Sequence, residues 1–429
     1  MKLGLTGVRL WASYYGGTDY DCGFGVTSDA TGDIIITGET QSTNFPVSTG
    51  AFQTTLASGV GSSDVYVVKF DPTGTRKWAT YLGGTQGETG RDITFDSANN
   101  IDVVGTTGSV DFPVTPGAFQ TIMTVYQKAI DAFITKFDIN GNRLWSTYVG
   151  GGDTDEGNDI AVDANDNISI TGSTVSLDFP VTAGCVQSVY GGGSTDIFAA
   201  KFGSAGNAQW LTYQGDVFDE VYSSCAADPQ GNTYVFGEWE DTPASNLPVF
   251  PCAFQPVHGG TEDQYITKYG PTGNIICGTY IGGSDEDDLD GNMGGIAYYN
   301  GYMHITALSY GTNYPVTSGA FQTAYAGSHD LTVVKLCTYN CGDPNPIVAD
   351  FSGSIDTLCV GVPMNFSSTV NTCDTISVQY SWAFQGASIS SSTSKHPSGI
   401  TYNTPGVYNV KLFLTSPCTA DSVIKGRFY

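Results

Sequence analysis

One short string returns five times along the chain, and its spacing limits what the chain can fold into. It reads WASYYGG at residue 11, WATYLGG at 78, WSTYVGG at 145, WLTYQGD at 210 and CGTYIGG at 277, in steps of 67, 67, 65 and 67 residues. Other landmarks keep the same phase. FPV occurs at 45, 112 and 179, then as LPV at 247 and YPV at 314. GAFQ at 50, 117 and 319 alternates with GCVQ at 184 and CAFQ at 252. DVYVVKF at 64 returns as DAFITKF, DIFAAKF, DQYITKY and DLTVVKL. A fixed period of this length marks an array of one supersecondary unit, each copy burying its apolar face on its neighbours.

Each unit contains four short β-like runs. In the second unit GRDITFD, the turn SANN and IDVVGTT are followed by a long loop holding FPVTPGAFQ, then DAFITKF, the turn DING and NRLWSTYVG. Polar turns with Asn and Gly between β-branched runs are hairpin chemistry. Four antiparallel strands repeated radially form a β-propeller blade. A helical reading fails, because no stretch sustains a 3.6-residue period. The small-residue run (DIAVD in the third unit) suits the inner strand a, and the Trp/Tyr run suits the outer strand d. The fifth unit has runs near 292–298, 302–308 and 330–336 but no strand d, whereas residues 8–15 form an orphan strand d. The expected architecture is therefore all-β: a ring of five four-stranded blades, closed by the N-terminal strand in the last blade, which removes both sheet edges.

Charge narrows the partners. Sixteen basic residues against 42 acidic ones give a net charge of −26. Such a surface repels phosphate backbones and anionic lipid, so neither nucleic acid nor membrane insertion is expected. Divalent cations, neutral glycans and basic proteins fit better. No apolar run is long enough to cross a bilayer. The start MKLGLTGVRLW lacks the apolar core of a leader, which leaves a cytoplasmic chain or a mature segment with its leader removed. Ten scattered cysteines, none in a CxxC pair, favour the second and an extracellular or cell-surface location. Cys225, inside an apolar run, reads as a small buried thiol.

The repeats resemble SBBP repeats, the β-propeller repeats of secreted bacterial proteins, through W-x-T-Y-x-G-G followed by D, I-x-V-D-x-x-G-N, G-x-T, D-x-F and K-F. The likeness covers residues 8–340. After a linker at 341–349, residues 350–429 show about seven short alternating strands, the pattern of an Ig-like sandwich with Trp382 as its buried aromatic. This stretch resembles a PKD-type domain through W-x-F-x-G at 382–386 and Y-x-x-x-G-x-Y-x-V-x-L at 402–412. The resemblance implies an extracellular spacer or protein-contact module. In such a sandwich Cys373 and Cys418 fall in loops at one end, and a disulfide between them is expected.

The repeat also reserves polar positions. Ten residues past each tryptophan position stand Asp21, Glu88, Asp155, Glu220 and Asp287, an acidic residue in every copy. These carboxylates lie in the loop from strand d to the next strand a, on the propeller face that also carries the FPV and GAFQ loops. They form a ring around the axis in this reading, with Asp290 an alternative occupant in the fifth unit. Two roles stand open. Each carboxylate accepts backbone N–H bonds, or some of them hold calcium. For the second, Asp153, Asp155 and Asp159 in DTDEGND, and Glu286, Asp288 and Asp290 in EDDLDGN, offer hard oxygen ligands at alternate positions beside a glycine. Lys69, Lys136, Lys201, Lys268 and Lys335 hold one strand-c position, and pairing with Asp29, Asp96, Asp163 or Asp228 gives them a structural role.

No GxSxG, His–Cys pair or metal-spaced His cluster is present, and the chain is not expected to be an enzyme. Three function classes follow. The first is an extracellular recognition or adhesion module that binds glycan or protein through the loop face, where Phe112, Phe119, Phe179 and Phe254 are available. The second is a structural subunit of a surface appendage, with self-assembly. The third is a glycan-active enzyme using axial carboxylates.

Overall fold

The computed structural model describes residues 1–124, 129–240, 253–289, 294–337, 348–353, 360–371, 378–415 and 420–428. Among these residues there is no helix, and so none long and apolar enough to cross a membrane. Four sheets have four antiparallel strands each, taken here as a to d in chain order. The first comprises Asp21–Ser28, Ile34–Thr40, Asp64–Phe70 and Arg76–Leu82, and the second Glu88–Phe95, Ile101–Thr107, Asp131–Phe137 and Arg143–Val149. The third comprises Asp155–Val162, Ile168–Thr174, Asp196–Phe202 and Ala208–Gln214. The fourth comprises Ser223–Ala227, Thr233–Glu240, Glu262–Tyr269 and Ile275–Ile281. A fifth sheet has only a, b and c: Gly295–Tyr299, Tyr302–Ser309 and Asp330–Cys337.

Local chemistry sets these hairpins. In the c–d turn of the first sheet the Asp71 carboxylate accepts the N–H groups of Thr73 and Thr75 at 2.8 and 2.9 Å. Gly74 supplies the positive φ of 90° that the turn requires. The same glycine has a second task. A Cβ on Gly74, Gly141, Gly206 or Gly273 would lie 2.7–2.9 Å from the ring of Trp11, Trp78, Trp145 or Trp210. Each tryptophan thus lies flat on the c–d turn of the following sheet. Its indole donates to that turn's backbone in three cases: Trp11 to Pro72 O, Trp78 to Ile139 O and Trp145 to Ser204 O.

Between consecutive sheets the apolar faces interlock. Ile35, Val65 and Val67 of the first pack with Ile93, Ile101 and Val103 of the second, and Ala132 and Ile134 of the second with Ile160, Ile168 and Ile170 of the third. Each fully buried Val or Ile contributes about 1.5–3 kcal/mol. The strand-c lysines are sealed into this core by partners of their own sheet. Lys136 lies 2.9 Å from Asp96 and 2.8 Å from Asp102, Lys201 lies 2.8 Å from Asp163, and Lys69 lies 3.6 Å from Asp29. Lys268 and Lys335 instead sit over the rings of Tyr234 and Tyr302.

The expected ring closure is corrected. Residues 9–11 pair with 2–3, and strand c of the fifth sheet bonds to strand b alone. The orphan strand keeps the contact its repeat makes with the following sheet, through Trp11 and Pro72, and not the contact it would make within its own.

The C-terminal region forms a two-stranded sheet, Val348–Gly353 with Phe366–Asn371, and a four-stranded sheet of Gln379–Phe384, Ser391–Ser392, Val407–Thr415 and Ala420–Phe428. The two share one core, in which Trp382 is buried against Phe351, Phe366 and Phe384. Tyr402 and Tyr408 stack with centroids 4.7 Å apart. Cys373 and Cys418 lie outside the described residues.

Candidate functional site

Both long connections of each blade, d to a and b to c, emerge at one end of the sheets, and the two tight turns emerge at the other. The reserved carboxylates open strand a at the loop end, where each closes its own junction. Asp21, Glu88 and Asp155 accept the backbone N–H of Gly17, Gly84 and Gly151 at 2.7, 3.0 and 2.6 Å. Glu220 and Asp287 accept those of Asp216 and Gly283. Hydroxyls complete the shell: Thr107 and Ser109 donate to Glu88, and Ser176 donates to Asp155. Glu88, Asp155, Glu220 and Asp287 are buried in these clamps. They do not form an open axial ring, because loop amides and hydroxyls occupy each one separately.

Every clamp contains a second carboxyl that the repeat reading passed over. The aspartate opening strand c of the preceding blade lies across the same glycine. A Cβ on Gly83, Gly150, Gly215 or Gly282 would come within 3.0 Å of both partners in Asp64/Glu88, Asp131/Asp155, Asp196/Glu220 or Asp263/Asp287. The GAFQ glutamine bridges the same point: Gln53 donates to Asp64 and accepts from Gly83, and Gln255 does the same with Asp263 and Gly282. Burial pushes these carboxyls up, to about 8 for Glu88 and Asp131, about 7 for Asp196 and about 10 for Glu220. The neighbouring carboxylate adds to the rise at Glu88, Asp131 and Glu220.

The aromatic loops turn inward. Phe45, Phe112 and Phe179 are buried, each against the strand-c and strand-d aromatics of its own blade, as Phe112 is against Phe133 and Tyr148. Phe119 docks on Phe202 of the next blade, and Phe254 stays half-exposed. Of the four phenylalanines expected on the binding face, two are therefore core and one is an inter-blade contact.

The two predicted cation loops fare differently. Asp155 and Asp159 both lie in strand 155–162. At about 3.3 Å of rise per residue their backbones are about 13 Å apart. Asp155 serves the clamp, whereas Asp159 accepts Cys225 N at 2.8 Å, so Asp153, Asp155 and Asp159 do not converge. The strand geometry of DTDEGND excludes the loop that calcium needs. In the second loop Glu286 and Asp288 come together with Glu262 at the start of strand c of the fourth sheet, and one oxygen from each lies within 4.8 Å of the others. This is the one such trio among the described residues. Asp290 lies outside them. Glu262 was not foreseen because it is 24 residues away in sequence, and only the parallel bridge between Glu262 and Glu286 brings it near.

One further column was missed. Four residues past each reserved carboxylate stand Gly25, Asp92, Asp159 and Ser224, where successive inner strands touch. Ile160 N, Cys225 N and Ile296 N donate to Asp92, Asp159 and Ser224 of the preceding blade. Burial, and then Asp159 beside it, pushes the Asp92 carboxyl far above the usual range. The signal was present as the only inner-strand column that changes from blade to blade. Cys225 is a buried free thiol, and Cys277, in the tryptophan position of the fifth copy, is disulfide-bonded.

The chain is a β-propeller repeat protein. Residues 77–113 and 144–180 match the model of the β-propeller repeat family SBBP. An uncharacterized WD repeat-containing protein of Acanthamoeba polyphaga mimivirus is 25% identical over 48% of this chain and 17% of its own length. The regulatory protein FlaEY of Caulobacter vibrioides is 24% identical over 73% of this chain and 34% of its own length. The chain thus spans about a third or less of these curated relatives. A lignostilbene dioxygenase structure from Pseudomonas brassicacearum aligns over 67% of this chain and 57% of its own at a TM-score of 0.32 and 11% identity.

Proposed function

We propose that the protein is a non-catalytic recognition module, extracellular or on the cell surface, that binds glycan or protein through the loop face of its propeller. In this reading calcium sits at the junction of the fourth and fifth blades. The observation that carries it is the convergence of Glu262, Glu286 and Asp288 on that face. Three carboxylate oxygens suit a hard cation, and a cation there would order the loop that a ligand meets. The other reserved carboxylates are already engaged in backbone clamps, which argues against their use as a glycosidase pair. The disulfide at Cys277 supports an oxidising compartment. The C-terminal two-sheet unit, with Trp382 at its centre, is read as a PKD-type, Ig-like spacer.

A glycan array probed with and without calcium tests this reading. Signal that needs calcium, is lost in Glu286→Gln and survives Asn142→Ala supports it. Signal lost in Asn142→Ala or Asn232→Ala but kept in Glu286→Gln places binding on the tight-turn face and overturns it.

A further inference from the structure

The two ends of the blade array carry the two halves of one interface. At each internal junction, strand c of one blade presents two apolar side chains to the inner strands of the next: Val65 and Val67, then Ala132 and Ile134, then Ile197 and Ala199, all buried. In the fifth sheet the same positions are Leu331 and Val333, 64% and 76% exposed. On the receiving side, Ile93 and Ile160 are 2% and 4% exposed, whereas the matching Val26 of the first sheet is 67% exposed. The GAFQ phenylalanine repeats the pattern. Phe52 meets Phe137 at 5.9 Å and Phe119 meets Phe202 at 5.4 Å, but Phe321 of the fifth sheet is fully exposed. Its counterpart ring in the first sheet, Phe70, helps line a cavity of about 300 Å³ together with Trp11, Tyr15, Val26, Ile34 and Ile36.

The N-terminal segment makes the match specific. Trp11 lies on Gly74 and Pro72 as Trp78 lies on Gly141 and Ile139, so residues 9–15 already occupy the place of a preceding blade's outer strand. That preceding blade is missing its strands a to c. The fifth sheet has strands a to c and is missing strand d.

We propose that the first sheet of one copy receives the fifth sheet of a second copy, head to tail. Residues 9–15 of the receiving copy would complete the neighbour's fifth sheet along strand 330–337. Phe321, Leu331 and Val333 of the neighbour would cover Phe70, Val26 and Ile36. A second copy is the occupant because each chain carries both halves while its own two halves do not meet: 9–11 pair only with 2–3, and 330–337 only with 302–309. Such a contact joins unlike surfaces, so it grows into an open chain or a closed ring of copies. Copies of net charge −26 repel, so the association strengthens as salt screens them. The inference is independent of the loop-face reading, and its test reads mass and not ligand.

Sedimentation velocity on the full chain over a concentration series, at low and high salt, is the test. Mass should rise in steps of 45.2 kDa, more so at high salt. Val26→Asp and Val333→Asp alter exposed positions, so each variant should keep its circular dichroism and melting temperature while raising the association midpoint at least about tenfold, because a charge is then carried into an apolar contact. Mixed together, they should form a dimer that grows no further, since one keeps its head and the other its tail. A wild type that stays monomeric, or a mixture that gives no dimer, overturns the proposal. So does a monomer in which hydroxyl-radical footprinting shows Phe321 and Val333 protected, which would mean the array closes on itself.

Discussion

The carboxyl pairs at the blade junctions make stability depend on pH in a direction opposite to that of most acidic proteins. At three junctions one group holds its proton well above the ordinary range: Glu88 at about 8, Asp131 at about 8 and Glu220 at about 10. The two carboxyls of a junction share one site, so one proton per junction is counted. The folded values lie above the unfolded ones. The folded state therefore binds more protons between about pH 5 and pH 7.5, and stability is highest at the acidic end and is lost as pH rises. Each proton contributes a slope of about 1.4 kcal/mol per pH unit, and three give about 4 kcal/mol per unit against a total stability of about 5–15 kcal/mol for an ordinary domain. Urea unfolding followed by tryptophan fluorescence at pH 5.5, 6.5 and 7.5 measures this. The midpoint should fall steeply with pH at constant m-value. Glu88→Gln should remove about a third of the slope and stabilise the chain at the alkaline end, because an amide keeps an acceptor for the Gly84 and hydroxyl donors without the charge. A midpoint that is flat or rises with pH refutes the shared-proton account.

Other consequences can be checked separately. Lys136→Met leaves Asp96 and Asp102 buried without their cation and should cost about 3–5 kcal/mol at neutral pH, measured by urea unfolding; the exposed Lys335→Met should cost under about 1 kcal/mol. Gly150→Ala drives a methyl to 2.7–2.9 Å from Asp131 and Asp155 and should lower stability by at least about 2 kcal/mol, whereas Gly59→Ala, which meets nothing within 4 Å, should change it by less than about 0.5 kcal/mol. Trp78→Ala removes a ring lying on Gly141 and a bond to Ile139 O, and about 3–5 kcal/mol of melting stability should go with it.

Much of this was legible because a repeat lets one chain be compared with itself. The period gave the sheets and their strand order, and a lysine reserved in a chain poor in basic residues pointed to a buried ion pair, as Lys136 and Lys201 show. What escaped depends on contacts between blades. The Asp131/Asp155 clamp joins residues 24 apart across a glycine, and nothing in the string announces that strand c and the next strand a end side by side. The loop phenylalanines looked exposed because FPV sits in a polar stretch. Yet Phe112 and Phe179 are drawn onto bare aromatic faces within their own blades. DTDEGND looked like a cation loop because spacing in sequence does not say whether the backbone is a loop or a strand, and here it is a strand. The N-terminal strand was read correctly as an outer strand by type, but an outer strand touches two blades, and pattern alone does not choose between them.

The claim that the loop face at the fourth–fifth junction is the binding face is tested most directly by calorimetric titration of calcium into the full chain. The account predicts uptake at a single site, lost in Glu286→Gln and in Glu262→Gln and unchanged in Asp153→Asn. No uptake, or uptake lost in Asp153→Asn while Glu286→Gln retains it, would contradict it.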